Sequence, residues 1–177
     1  SGNVYIDQNE VLSLADGTDF IPVTSRILGR PANYAQPGQP YGVLRGTAVQ
    51  RDENGNFVVG SNGYYIADPN EQILGDPNPD WTGTLNNSFS YKGFSLNASV
   101  QFRHGGDIFS QTAGSLEGRG VIGVPVDRED TFILPGVLQD GTPNNIQITA
   151  TDVYFNNLGF GPSELQIYDG TTLRLSE

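Results

Sequence analysis

The side chains best suited to catalysis are the 20 Asp and Glu residues, because a fixed pair of carboxylates is sufficient for glycoside hydrolysis. None of them lies in Trp81 to Arg103, the one long regular stretch that could hold such a pair at a fixed separation. They lie in Gly- and Pro-rich segments, where solvated surface charge is the simpler interpretation. Neither His104 nor any serine belongs to a nucleophile motif such as G-x-S-x-G. We therefore predict no catalytic residues and no enzyme activity.

Metal and cofactor chemistry has little support. Asp52, Asn54 and Asn56 have the first three spacings of a calcium loop, but the glycine comes early and the closing Glu is missing. Asn54-Gly55 is also a strong hairpin signal, so a turn is favoured over a calcium site. With no cysteine and one histidine, thiol chemistry and a His-rich metal site are excluded. We predict no metal and no cofactor.

Aromatic residues in the loops are the remaining candidates for ligand binding. Six of them lie among Asn and Asp residues, a mixture suited to stacking on sugars: Tyr34, Tyr41, Tyr64, Tyr65, Tyr154 and Phe155. The alternative is that such aromatics hold long loops together. We select Tyr64, Tyr65 and Tyr154 as the candidates for contact with a ligand.

The most regular stretch, Trp81 to Arg103, alternates apolar and polar residues with a period of two, which predicts a long antiparallel hairpin around a Lys92-Gly93 turn. That turn places Tyr91 opposite Phe94 and Phe89 opposite Leu96. One face is then apolar except for Asn87, and the other carries small hydroxyls and amides. The apolar-face residues predicted to contact lipid are Trp81, Leu85, Phe89, Tyr91, Phe94, Leu96, Ala98, Val100 and Phe102.

Two kinds of protein have such a hairpin. Each arm has about ten residues and aromatics at both ends, as in the tilted strands of outer-membrane barrels. A soluble β-sandwich, which would hide the apolar face in its core, fits the pattern equally well. The hairpin alone leaves both interpretations open.

Composition narrows the classes of function. Among 177 residues, 23 Gly and 11 Pro indicate many turns and long loops, and helical periodicity is almost absent, so we predict an all-β chain. A net charge of −11 disfavours nucleic acid and anionic lipid surfaces as partners. No apolar run is long enough for a membrane helix, and no signal peptide is recognisable. The absence of methionine suggests a fragment or a processed product.

The chain divides into four predicted regions: short strands and loops in 1–80, the hairpin in 81–103, a long loop region in 104–163, and the start of a further strand in 164–177. Within the first region, four prolines between Thr18 and Pro40 predict a loop. After the hairpin, Ile108 to Gln111 has the pattern of a short helix capped by Asp107.

Several segments resemble a known family in order and spacing: Gly75-Asp76-Pro77-Asn78-Pro79-Asp80-Trp81, Phe89 to Leu96, His104-Gly105-Gly106-Asp107-Ile108, and Tyr168 to Leu175. Others in the same order are Asn9 to Leu14, Gly38 to Gly42, Leu134 to Val137, Asp140-Gly141 and Pro143 to Asn145. Together they are similar to the last third of the SusC/RagA family of TonB-linked outer-membrane transporters.

The resemblance implies that this chain is part of a 22-stranded outer-membrane barrel that it does not close by itself. In that family TonB drives uptake of glycan oligomers or peptides, and a SusD-like surface lipoprotein covers the outer mouth. The apolar face would then contact outer-membrane lipid, and 104–163 would be extracellular. No TonB box or plug is recognisable. An incomplete barrel has two open strand edges, so we expect the isolated segment to transport nothing and to cover those edges or its apolar face by oligomerisation through the edges, by loops folding back or by detergent. A soluble β-sandwich that binds carbohydrate is the alternative.

Overall fold

A computed structural model describes residues 1–25, 30–121, 127 and 129–176. Strands make up 43% of the structure and helices 12%, so the predicted all-β class is confirmed. The described strands are β1 (Gly2–Tyr5), β2 (Ile21–Pro22), β3 (Ala32–Ala35), β4 (Val43–Val49), β5 (Val58–Val59), β6 (Ala67–Gly75), β7 (Trp81–Tyr91), β8 (Phe94–His104), β9 (Asp107–Phe109), β10 (Thr131–Phe132), β11 (Val137–Leu138), β12 (Ile148–Thr149), β13 (Ile167–Asp169) and β14 (Thr172–Ser176).

Two four-stranded antiparallel sheets organise the described residues. The hairpin sheet has the strand order β1-β7-β8-β14, and the core sheet has the order β2-β3-β4-β6. Three two-stranded pairs accompany them: β10 with β12, β9 with β13, and the parallel pair of β5 with β11. No sheet closes on itself in this part of the chain.

The predicted hairpin is present with the predicted register. Tyr91 pairs with Phe94 and Phe89 with Leu96, and the ladder runs without a break to Trp81 and His104. At the turn, Lys92 has φ 45° and Gly93 has φ 89°. Positive φ at both central residues is the type I′ turn, whose twist matches that of the flanking strands. The hairpin register is therefore confirmed.

The buried core lies around β4, not around the hairpin. Val43, Val49 and Val59 are the largest side chains that are fully buried. Ala150 and Val153, at the start of a helical segment, are buried as well. The Glu164 carboxylate accepts a hydrogen bond from the Val49 backbone N–H at 2.8 Å and forms an ion pair with Arg51. These contacts fasten the C-terminal part of the chain to the end of β4.

Helices occupy part of the region predicted as a long loop. The described helices are α1 (Gln111–Gly118), α2 (Ala150–Asp152), a π-helix that continues α2 (Val153–Gly159) and a 3₁₀ helix (Ser163–Gln166). The N-cap of α1 is Ser110, whose Oγ accepts a hydrogen bond from Ala113 N–H at 3.1 Å. A helix follows the hairpin as predicted, but it begins at Gln111 and not at Ile108, and Asp107 is not its cap, because Asp107–Phe109 form β9, which pairs with β13.

In the first eighty residues, strands occur in proline-containing segments where they were not predicted. The predicted loop Thr18–Pro40 contains β2 and β3, and Pro22 is tolerated because it ends an edge strand. β6 is nine residues long although it contains Pro69. It is also an edge strand, and its register against β4 shifts where Pro69 lies. Residues 26–29, 122–126, 128 and 177 of the predicted regions lie outside the described residues.

A hydrogen-bonded junction joins the end of the hairpin away from the Lys92-Gly93 turn to the loops. Arg103 Nη2 donates to the Pro77 carbonyl at 2.9 Å, and Gly170 N–H donates to the Gly106 carbonyl at 2.7 Å. Asp76 N–H donates to the Asp107 carboxylate at 2.9 Å. Segments before and after the hairpin thus meet at one place and hold the loops over one end of the hairpin.

Candidate functional site

The first candidate site is the apolar face of the hairpin sheet. Phe94 is 82% exposed, Leu96 66% and Phe89 62%. Leu85 and Tyr91 are also exposed, whereas Trp81, Ala98, Val100 and Phe102 are half-buried. Within the part of the chain that the structure describes, no second sheet covers the five exposed side chains, as a sandwich core would require. Their contact with lipid stays a prediction.

The apolar face extends onto the strands at both sides of the hairpin. Val4 of β1 lies opposite Gly83, and on β14 Leu173 lies opposite Phe102 and Leu175 opposite Val100. Residues directly opposite each other share a face of the sheet. Val4, Leu173 and Leu175 are each about 70% exposed. Four strands therefore share one apolar surface, which is wider than the predicted apolar face of the hairpin alone.

The opposite face of the sheet is polar and nearly uncharged. Ser88 Oγ donates to Asn97 Oδ1 at 2.6 Å, and the hydroxyls of Ser90 and Ser95 lie 3.1 Å apart. Arg103 is the first charged residue met along β8 from the turn. A sheet with one apolar and one polar face can separate a hydrocarbon phase from water.

Aromatic and charged residues lie together at the end of this sheet away from the Lys92-Gly93 turn. The Trp81 and Phe102 rings lie 6.4 Å apart, and the His104 ring stacks on Trp81 at 5.8 Å with an interplanar angle of 6°. His104 Nδ1 lies 3.0 Å from Asp80 Oδ2. One edge of the apolar face thus carries a cluster of aromatic rings beside a carboxylate.

The second candidate site is a cleft of about 560 Å³ on the core-sheet side of the molecule, within the roughly 300–1,000 Å³ range of ligand pockets. Its aromatic lining residues are Tyr64, Tyr65, Phe109 and Phe160. Its amide lining residues are Asn62, Gln111, Asn156 and Gln166. Arg30 supplies the charged group among the described lining residues.

Tyr64 and Tyr65 of the cleft lining are fixed by different contacts. Tyr64 Oη accepts a hydrogen bond from Asn156 Nδ2 at 3.1 Å, which links the loop before β6 to the π-helix. Tyr65 donates its hydroxyl to the Pro135 carbonyl at 3.0 Å, and its ring packs edge-on against Phe57. Burial raises the pKa of Tyr65 above its ordinary value, which favours the protonated hydroxyl that donates this bond.

The helical segments beside the cleft pack closely through glycines. A Cβ atom at Gly159 would lie 2.6 Å from the Gly114 carbonyl oxygen, so the π-helix touches α1 without intervening side chains. Gln166 is 3% exposed and donates its Nε2 to the Gly159 carbonyl at 3.0 Å. This contact places Gln166 against the end of the π-helix and at the wall of the cleft. Insertions that convert an α-helix into a π-helix often lie at functional sites.

The other predicted loop aromatics hold loops together. Tyr34 is buried on β3 with an edge-on contact to Phe20, and Tyr154 packs edge-on against Phe132 outside the cleft lining. Phe155 contacts Phe160 at 5.0 Å. Of the three candidates for ligand contact, the structure brings Tyr64 and Tyr65 together in the cleft and leaves Tyr154 apart. Whether any of them contacts a ligand stays a prediction.

Sequence reasoning did not single out the amides of the cleft. Asn62, Gln111, Asn156 and Gln166 come from separate parts of the chain, and each is an unremarkable polar residue in its local sequence. A π-helix also has no simple sequence signature. The aromatic pair Tyr64-Tyr65 was the single local signal that pointed to this site.

Residues 52–56, which have the spacing of a calcium loop, form a turn that hydrogen bonds to the Asp52 carboxylate stabilise. Asp52 Oδ1 accepts hydrogen bonds from the Asn54 and Asn56 backbone N–H groups at 2.9 and 2.8 Å, and Asp52 Oδ2 accepts one from Asn56 Nδ2. The Asn56 side chain, followed by these backbone bonds, lowers the pKa of Asp52. Across the described residues, no three His, Cys, Asp or Glu side chains are grouped so that they could hold a metal ion.

No helix among the described residues has the length and apolar character to cross a membrane. No protein-family model and no curated protein matches this chain.

Proposed function

We propose that this chain is a segment of a TonB-dependent outer-membrane importer of the SusC/RagA type, which takes up glycan oligomers or peptides. Its hairpin sheet supplies part of the barrel wall, and its remaining residues supply extracellular loops. The observation that carries the proposal is the uncovered apolar surface on four strands, with a polar face behind it. In water such a surface is an aggregation liability, whereas in a membrane it is the lipid contact.

The dimensions of the sheet support a membrane position. β7 and β8 have 11 residues each. At about 3.3 Å per residue and a tilt of about 40°, such a strand spans roughly 28 Å, close to the roughly 25 Å apolar band of outer-membrane barrels. The aromatic residues at the two ends of the strands then lie at the two interfaces, with Trp81 at the outer one and Tyr91 at the inner one.

The open edges support a larger barrel. β1 and β14 are the outer strands of the hairpin sheet, and each has one side unpaired in the described residues. Unpaired backbone groups are not tolerated in lipid. In the intact importer, further strands of the barrel cover these edges. TonB and a SusD-like lipoprotein are the partners of that intact protein.

The carbohydrate-binding sandwich is less well supported. It requires Phe89 and Leu96 in a closed core, and both are largely exposed. The cleft that could bind a sugar does not depend on a sandwich, because it lies beside the core sheet and not on the hairpin.

Labelling of single cysteines tests the proposal, and this chain contributes no native cysteine that would compete for the label. Phe89→Cys and Leu96→Cys place a fluorescent label on the apolar face, and Ser88→Cys and Ser95→Cys are their polar-face neighbours. In the full-length polypeptide reconstituted in lipid vesicles, we expect spin-labelled lipids to quench the first pair strongly and the second pair weakly. Equal quenching of both pairs, or none of either, would refute the wall assignment.

A further inference from the structure

We infer that the cleft beside Tyr64 binds a neutral saccharide unit, so that the importer takes up an oligosaccharide and not a peptide. The role of the cleft in uptake rests on the function proposed above. Binding itself rests on the cleft alone and is tested separately.

The first observation is an available aromatic ring. Tyr64 lines the cleft and is half-buried, and its ring has no partner ring among the described residues. The hydrogen bond from Asn156 to its hydroxyl restrains the ring from one side. The ring of Tyr65, by contrast, already packs against Phe57. A restrained, unpaired ring is a flat apolar platform, and a pyranose ring has an apolar C–H face of similar size.

The second observation is a set of amides with unused capacity. Each amide side chain has two N–H donors and a carbonyl acceptor, which suits hydroxyl groups that both donate and accept. Asn62 and Asn156 are exposed at the cleft. Gln166 is buried, and its Oε1 has no hydrogen-bond partner among the described residues. That acceptor is closed off from solvent, so the exposed amides of Asn62 and Asn156 are the groups that can meet a ligand hydroxyl.

The third observation concerns charge. No carboxylate lies among the described lining residues, so the ammonium and basic groups of a peptide would find no counter-ion there. Arg30 could bind an anion, but the net charge of −11 on the chain repels polyanions at longer range. A neutral, hydroxyl-rich ligand needs no counter-ion in the cleft, and the net charge of the chain does not repel it. The arginine fork also donates to hydroxyl oxygens, although its bonds to a carboxylate are stronger.

Calorimetric titration of the full-length polypeptide in detergent tests the inference. The probes are neutral tetrasaccharides of glucose, xylose and mannose, a tetragalacturonate, and an uncharged and a basic tetrapeptide. We expect at least one neutral tetrasaccharide to bind, and Tyr64→Ala to weaken that binding by about tenfold because the stacking surface is lost. Tyr64→Phe keeps the ring and should lose less. Tyr41→Ala removes an exposed tyrosine outside the cleft lining and should change nothing.

A second variant guards against misfolding. Asn156 is exposed, so Asn156→Ala should fold normally and still weaken binding, by about threefold, through loss of one hydrogen bond. Tighter binding of tetragalacturonate or of a tetrapeptide would overturn the inference. So would binding of none of the probes, or unchanged binding in folded Tyr64→Ala and Asn156→Ala proteins. Sugar binding without quenching of the apolar-face labels would instead keep the cleft and remove the importer.

Discussion

Glycine residues at the junction show how single positions control the contact between loops and hairpin. Gly106 has φ 81°, and a Cβ atom there would lie 2.7 Å from Arg103 Nη2 and 2.9 Å from the Pro77 carbonyl oxygen. A side chain would therefore be strained by its backbone and would displace the hydrogen bond between those two groups. The Gly-Gly pair after His104 allows β8 and the loop before β7 to approach closely.

At the same scale, Asp52 predicts a pH dependence of stability. Its folded-state pKa is lower than that of an ordinary Asp because the folded turn donates hydrogen bonds to its carboxylate. A lowered pKa contributes stability above the unfolded-state pKa, about 4 for Asp, and this contribution is lost as the pH falls through the folded value. Asp140 and Asp169 act in the same direction, with hydrogen bonds from Thr142 and Thr171 as the main causes.

We expect Asp52→Asn to reduce the fall in the urea midpoint between pH 5 and about pH 2, because one linked proton is removed. Glu53→Gln is the matched control, since it removes a neighbouring charge and leaves the bonds to Asp52 in place. An identical pH dependence in the Asp52→Asn protein and in the wild type would contradict this assignment.

Among the elements, the hairpin turn sets the register of the whole apolar face. A shift of one residue would exchange the apolar and polar faces of a strand, because side chains alternate with a period of two. Lys92 and Gly93 both have positive φ, and only Gly adopts such a backbone without cost.

Lys92→Asn should therefore stabilise the hairpin by a few tenths of a kcal/mol, since Asn-Gly is the preferred type I′ pair. Gly93→Val should destabilise it by about 1–2 kcal/mol, because a branched side chain disfavours positive φ. Denaturation in detergent measures both changes. The open space around Gly93 excludes a steric explanation. A destabilising Lys92→Asn, or a neutral Gly93→Val, would contradict the turn type.

At the scale of the whole molecule, β1 and β14 have one side each unpaired, and the apolar surface between them is uncovered, as far as the described residues extend. The core sheet and the helices bury their own apolar side chains around Val43, Val49 and Val59. The hairpin sheet buries few, so its stability depends on what surrounds it. Both features fit the importer segment proposed above.

We predict that the isolated chain associates in detergent through β1 and β14. Light scattering should give a mass that rises with concentration. Thr172→Lys with Ser176→Lys should lower that mass by placing charge on the β14 edge, whereas Ser88→Lys places the same kind of charge on an inner strand and should not. A monomer at every concentration, or an equal effect of Ser88→Lys, would contradict association through the edges.

The sequence by itself determined the all-β class, the hairpin and its facing pairs, from Tyr91 opposite Phe94 to Gly83 opposite Phe102. These features were predictable because alternation along a strand and the conformation of a two-residue turn depend on a few neighbouring residues. The helical segments after Thr149 and the proline-containing edge strand β6 were missed, and α1 was predicted to begin at Ile108 instead of Gln111, because tertiary packing overrode weak local signals there.

Only the tertiary structure decided that the apolar face is uncovered and that Tyr64, Asn156 and Gln166 share one cleft. An alternating strand looks the same whether its apolar side meets a second sheet or the outside of the molecule, so exposure is not encoded locally. The cleft residues are far apart in the chain, and the π-helix, the glycine contact with α1 and the Glu164–Arg51 pair bring them together. Such contacts follow from the packing of the whole chain, which no local pattern specifies.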